Sequence, residues 1–257
     1  MTATSKAVEI TIDGDRLAGT FLSPQSKIPG VLFVHGWGGS QSSDLIRARS
    51  IAGLGCVSLT FDLRGHGGTV ERQSMVTREE NLRDLVAAYD ELVSHPAIDT
   101  SAIAVMGNSY GSYLATILTT LRPVRWLSLT VPALYRDENW DIPKAKLDRE
   151  DLARYRRSLV TPAENRALAA CAEFTGDVLL IEAEHDDLVP HQTLISYRRA
   201  FERAHSLTYR IIDGADHAMS SDTCQQAYTS VLVNWATEMI VGRRIGGETA
   251  TASVHVS

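Results

Sequence analysis

Cysteine is scarce and unpatterned. Cys56, Cys171 and Cys224 are scattered, form no C-x-x-C pair and have no histidine at metal-ligand spacing. An odd, dispersed set excludes a disulfide framework or a zinc ribbon and fits reduced thiols in a reducing compartment. No apolar run approaches the roughly 20 residues of a membrane span. Positive charge is not in excess either: 25 Lys and Arg against 31 Asp and Glu leave a net charge of −6. That balance argues against nucleic acid or an anionic membrane as the main partner. The opening MTATSKAVEITIDG carries no basic stretch followed by an apolar one, so no secretory signal is expected and the cytoplasm is the expected compartment. Internal repeats and low-complexity segments are lacking as well.

What is present is a regular alternation. AVEITIDG and RLAGTFLSP read as two alternating strands around an Asp13-Gly14 turn, a hairpin signal. PGVLFVHG and CVSLTFDLRGHG are continuous apolar runs ending in glycine-rich turns, the pattern of strands buried on both faces. SAIAVMG, VRWLSLTV, DVLLIEAE and LTYRIID add four more, for eight strands in all. Helical segments separate them. One is Thr77–Val93, with apolar residues at helical spacing, a Thr77-x-x-Glu80 capping box and Pro96 beyond its end. Others are expected at Ser43–Leu54, Tyr110–Leu121, Thr193–Ala204 and Thr223–Ile240. The fold class is therefore α/β: a mostly parallel eight-stranded sheet with helices on both faces and the antiparallel hairpin at one edge.

One stretch breaks the rhythm. Residues 132–176 are far longer than a crossover needs. They read as an insertion with helices at Arg149–Leu159 and Pro162–Ala172, following the C-terminal end of a strand, where such sheets bind ligands. The expected organisation is a core of residues 1–131 and 177–240, a short helical cap of residues 132–176, and a tail of residues 241–257 without stable structure. Trp140, Tyr135, Tyr155 and Leu147 fit either a substrate pocket or the insertion's own core. Arg154, Arg156 and Arg157 fit an anionic ligand less well than a solvated face.

The chemistry centres on Gly107-Asn108-Ser109-Tyr110-Gly111, set between a strand and a helix. A G-x-S-x-G turn there holds the serine out in strained backbone angles, with glycines where strand and helix approach. The helix N-terminus offers unpaired N–H groups, and that of Tyr110 can point at a developing oxyanion. A serine hydroxyl is a weak nucleophile and needs a base oriented by an acid. The loop after DVLLIEA supplies Glu184, Asp186 and Asp187; the loop after LTYRIID supplies His217. The order Ser, acid, His suits this type of sheet.

These features together resemble the α/β-hydrolase family. His35-Gly36-Trp37-Gly38-Gly39 is similar to its oxyanion loop, Phe61-Asp62-Leu63-Arg64-Gly65-His66-Gly67 to its D-x-R-G-x-G turn, and Asp186-Asp187-Leu188-Val189-Pro190 to its acid loop. The pattern is closest to small capped esterases of the feruloyl-esterase, serine-aminopeptidase-like and dienelactone-hydrolase-like groups. The resemblance implies a catalytic Ser109, Asp186 and His217, with an oxyanion hole formed by the backbone N–H groups of Trp37 and Tyr110. It implies that His35 orders the oxyanion loop, that His66 is a turn residue and that Asp187 and Glu184 are not the acid. The expected activity is hydrolysis of a small-molecule carboxylic ester, without cofactor or metal. Peptidase, thioesterase and C–C bond hydrolase chemistry would use the same groups, and a catalytically silent binding protein is the non-enzymatic alternative. Homo-oligomer formation is left open.

Overall fold

The structure is a computed structural model and describes residues 4–23 and 28–251. Eight strands form one sheet: β1 (Thr4–Ile12), β2 (Asp15–Ser23), β3 (Ile28–Val34), β4 (Val57–Phe61), β5 (Ile98–Asn108), β6 (Trp126–Thr130), β7 (Asp177–His185) and β8 (Ser206–Asp216). Their spatial order is β1-β2-β4-β3-β5-β6-β7-β8. The β1–β2 hairpin turns at Asp13 and Gly14, both at positive φ, and joins β4 antiparallel at one edge. Every other pairing is parallel. β3, β4 and β6 are buried at every residue. Covered on both faces, they have no solvent side to mark with polar residues, which is why they read as unbroken apolar runs.

Seven α-helices are seen among the described residues: α1 (Leu45–Gly53), α2 (Arg78–Ser94), α3 (Tyr110–Leu118), α4 (Arg149–Arg156), α5 (Arg166–Glu173), α6 (His191–Ala200) and α7 (Asp222–Thr251). The sheet divides the core in two. One half packs β-strand side chains against α2, α3, α5 and α6, through Leu85, Tyr113, Leu168 and Leu194. The other packs them against α1 and α7, through Ile51, Tyr228, Leu232 and Trp235. The capping box of α2 is formed as the sequence indicates: Thr77 Oγ1 accepts from the Glu80 N–H, and Glu80 accepts from the Thr77 N–H.

Three boundaries differ from the sequence pattern. α5 begins at Arg166 rather than Pro162, because Asn165 is its cap and accepts from the N–H groups of Ala167 and Leu168. The Thr161–Glu164 pair does form, but it closes a single turn that the helix does not continue. α5 also packs directly against α3 and α6, so it belongs to the helical layer of the core rather than to the excursion above the sheet. Its buried face of Ala167, Leu168, Ala170 and Cys171 is small enough for that close approach. α4 ends at Arg156, whose side chain turns inward. α7 runs past Ile240 to Thr251, since an established helix gains one hydrogen bond for each residue added. The remainder of the expected tail, residues 252–257, lies outside the described residues.

Backbone from another strand approaches very closely at Gly111. A Cβ there would lie 2.1 Å from the Val34 carbonyl oxygen and 2.6 Å from that of His35. Neither can yield without moving β3. Gly111→Ala is therefore expected to destabilise the fold by about 3 kcal/mol or more. Gly53→Ala, where a Cβ meets nothing within 4 Å, should change stability by less than about 1 kcal/mol. Urea melts of the two variants measure both.

Candidate active site

β5 ends at Asn108 and α3 begins at Tyr110, leaving Ser109 alone to turn the chain. It does so at φ 51° and ψ −109°, a conformation L-residues rarely adopt. The strain is held by neighbours: the Ser109 N–H donates to the Thr130 carbonyl at 2.8 Å, and the Ser109 carbonyl accepts from Ala133 at 3.1 Å and Tyr113 at 3.2 Å. Val131, at the end of β6, carries a second positive φ of 42°. This is unusual for a β-branched residue, and its N–H is pinned to the Ile181 carbonyl. Met219, two residues beyond His217, is a third, at φ 52°. Strained backbone thus collects around one point above the sheet.

The loops after β7 and β8 bring the acid and the imidazole to that point. His217 Nδ1 lies 2.7 Å from Asp186 Oδ2, and His217 Nε2 lies 2.9 Å from Ser109 Oγ. A carboxylate only accepts, so the proton sits on Nδ1 and Nε2 is free to accept from the serine hydroxyl. The other Asp186 oxygen accepts from the N–H groups of Leu188 at 2.8 Å and Val189 at 2.7 Å, which fixes the carboxylate plane. The Asp186 side chain is 3% exposed and that of His217 19%. Glu184 is not in this chain; it accepts from the Gly214 N–H and braces one loop against the other. Asp187 is exposed. His191 pairs with Glu182, which also accepts from the Tyr209 hydroxyl. The histidines and acids of the β7 loop therefore do not converge on a common centre, and among the described residues no cluster is arranged to hold a metal.

The loop expected to receive the oxyanion follows β3. A Cβ on Gly36 would lie 3.3 Å from Ser109 Cβ, so the loop runs directly beside the serine. Tyr110 opens α3, so its N–H has no helical partner. No acceptor is seen for the Trp37 N–H among the described residues. The rings of Trp37 and Tyr110 meet edge to face at 5.5 Å, and Trp37 meets His66 the same way at 4.8 Å. His35 is buried: its Nδ1–H donates to the Gly36 carbonyl at 2.8 Å and Nε2 accepts from the Leu63 N–H at 3.0 Å. It ties this loop to the Asp62–Arg64 turn, and neither ring nitrogen bonds Ser109.

Both loop histidines are held neutral. Burial lowers His35, and burial with His35 alongside lowers His66 from 6.5 to about 4. Below pH 6.5 the unfolded chain takes up a proton that folded His66 refuses. Its stabilising effect is therefore complete above 6.5 and is lost as the pH falls toward 4, a loss on the order of 3 kcal/mol. His66→Gln should flatten that part of the pH–stability curve. Urea midpoints at about pH 7 and about pH 4.5 for both proteins measure it.

With this geometry, the comparison with known proteins is direct. The profile of the prolyl oligopeptidase family matches residues 42–242. The chain belongs to that family. An uncharacterised protein of Mycobacterium tuberculosis, known from two strains, is 32% identical over 212 residues, covering 80% of this chain and 70% of its own. Among solved structures, Est1E of Butyrivibrio proteoclasticus with ferulic acid bound superposes with a TM-score of 0.71 at 17% identity, over 91% of this chain and 100% of that one. The dienelactone hydrolase of Anabaena variabilis superposes with a TM-score of 0.64 at 20% identity, over 91% and 97%. At these identities the likeness establishes the fold, that of the α/β hydrolases. Membership in the family makes the chain a hydrolase.

The excursion of this prolyl oligopeptidase family member lies against the loop after β3, with Lys144 over the Trp37 ring. Tyr135 and Tyr155 are buried in the main core, with Trp140 and Leu147 packed on its rim. They pack against the main core rather than forming a core of the excursion's own, and Tyr135 and Leu147 also line a pocket with Arg136, Asp148 and Leu152. Arg156 departs from the solvated face expected of its charge run. It is buried, its Nε donates to the Leu134 carbonyl, and its Nη1 donates to the Leu188 carbonyl. Arg154, by contrast, is exposed and pairs with Asp151. Two residues that the sequence did not single out anchor the excursion. Arg78 at the start of α2 donates to the carbonyls of Arg136, Glu138 and Asn139, and the Lys144 N–H donates to the Val76 carbonyl. Nothing local in the sequence marks either one, because their partners are backbone atoms of a distant segment.

Proposed function

We propose that the chain is a serine carboxylesterase acting on small-molecule esters through an acyl-enzyme. The observation that carries this is the continuous hydrogen-bonded path from Asp186 through His217 to Ser109, at 2.7 and 2.9 Å. His217 Nε2 takes the Ser109 proton as Oγ attacks the ester carbonyl. Asp186 keeps the imidazole in the required tautomer and stabilises its positive form. The carbonyl oxygen, gaining negative charge, is received by the N–H groups of Tyr110 and Trp37. One such donor is typically worth about 10²–10³ in turnover. The imidazolium then gives its proton to the leaving alcohol. Water, deprotonated by His217, attacks the acyl carbonyl and frees Ser109. Residues 132–165 act as the cap over this site, and the enzyme works in the cytoplasm.

Cleavage of peptides is the second reading, and the family match favours it. Matched para-nitrophenyl esters and para-nitroanilides of the same short acyl groups separate the two. Ester turnover well above anilide turnover is the expected result. Comparable rates on both would replace the esterase reading with an amidase one, and no turnover of either by a folded protein would favour a binding protein on the same fold.

A further inference from the structure

Arg47 in α1 and Asp44 at its start form a buried ion pair on the side of the sheet that α7 covers. Arg47 Nη2 donates to Asp44 Oδ1 at 2.9 Å and to the Ser43 carbonyl, and Nη1 donates to Gln225 Oε1 at 3.0 Å. The guanidinium lies 4.7 Å from the centre of the Tyr228 ring. Desolvation offsets most of the attraction within such a pair, so stability alone is a poor reason for burying one. What the pair holds in place is an amide. Arg47 only donates, so Gln225 turns Oε1 toward it and Nε2 away. Nε2 then donates to the Met219 carbonyl at 2.9 Å and to the Ala218 carbonyl at 3.4 Å. These two residues directly follow His217.

Among the described residues neither carbonyl meets another donor. Met219 stands at φ 52°, and strained backbone persists only where its surroundings hold it. The His217 ring spans Asp186 and Ser109 at 2.7 and 2.9 Å, and the peptide after it sets where that ring stands. The same guanidinium also fixes the Ser43 carbonyl, in the segment between β3 and α1 that carries Trp37. One buried cation thus joins the loop of the imidazole to the loop expected to receive the oxyanion. We propose that Gln225, held by Arg47, is a positioning residue for His217: its amide clamps the carbonyls that follow the histidine and keeps Nε2 within reach of Ser109 Oγ. The inference rests on the roles proposed above for Ser109 and His217 and names the group that keeps the base in place.

The test uses Gln225→Glu and Gln225→Leu in the full chain. Glutamate keeps an acceptor for Arg47 and can pair with it, but it puts a second acceptor where the nitrogen donated, against two carbonyls. Leucine removes both sets of bonds. Each variant should lose about 10- to 100-fold in kcat on a para-nitrophenyl ester, the effect of displacing a reacting group by about 1 Å or less. KM should stay within about twofold of wild type, since no substrate contact is touched. The rate of Ser109 labelling by a fluorophosphonate should fall by the same factor as kcat. If the Arg47–Gln225 bond were only a brace for the fold, glutamate would cost nothing in kcat and leucine would lower Tm alone. Should Gln225→Leu not fold, Gln225→Glu decides. Turnover and labelling near the wild-type rates in Gln225→Glu, or a loss confined to KM, overturn the proposal. A folded wild-type protein that the fluorophosphonate does not label removes the roles of Ser109 and His217 themselves, and the proposal falls with them.

Discussion

Ser109→Ala should abolish turnover and leave the fold intact. The substitution removes the one atom that His217 Nε2 meets at 2.9 Å and with it the site of acyl attachment. Loss of the nucleophile in enzymes of this kind lowers kcat by a factor on the order of 10⁶. What remains should come from the N–H groups of Trp37 and Tyr110, proposed above to receive the carbonyl oxygen. Stability should barely move. The backbone bonds that hold residue 109 at positive φ run to Thr130, Tyr113 and Ala133 through main-chain atoms, and alanine strains there no more than serine does. Steady-state kinetics with a chromogenic ester and a thermal melt on the same preparation provide both readings.

Asp186→Asn should lower kcat by about 10⁴ through a single misplaced proton. The amide oxygen can still accept from Leu188 and Val189, which now bond Oδ1, so the loop keeps its shape. The amide nitrogen, however, takes the place of Oδ2 and donates where Oδ2 accepted. It turns Nδ1 of His217 into an acceptor, moves the ring proton to Nε2, and presents Ser109 with a donor instead of a base. The neighbouring Asp187→Asn, on an exposed side chain with no bond to His217, should leave kcat near the wild-type value. Equal effects at the two positions would mean that the acid had been assigned to the wrong aspartate.

The groups of this site were legible because each is announced by its own short segment. Ser109 sits in a turn that only small neighbours permit, and the structure gives the reason at Gly107 and Gly111, where a Cβ would strike backbone. Asp186 and His217 lie where apolar runs stop, and strands β7 and β8 carry those stops to the same edge of the site. The mostly parallel sheet with its hairpin at one edge followed from the same alternation. The boundaries of α4 and α5 did not, because the Thr161–Glu164 pair makes the same hydrogen bonds in an isolated turn as it would at a helix start. Arg156 was misread for a related reason. Three arginines in four residues look alike in sequence, and only the carbonyls of Leu134 and Leu188, folded over from other segments, draw one of them inward. Lys144 and Arg78 left no trace at all, since aromatic faces and main-chain oxygens carry no pattern that a sequence can display.

The central claim is that Ser109 is a nucleophile activated by His217. A fluorophosphonate probe tests it most directly, with the adduct located by mass spectrometry in the wild-type protein and in His217→Ala. The account predicts stoichiometric modification of Ser109 in the first and almost none in the second. A folded wild-type protein that stays unmodified, or is modified at another residue, would contradict it.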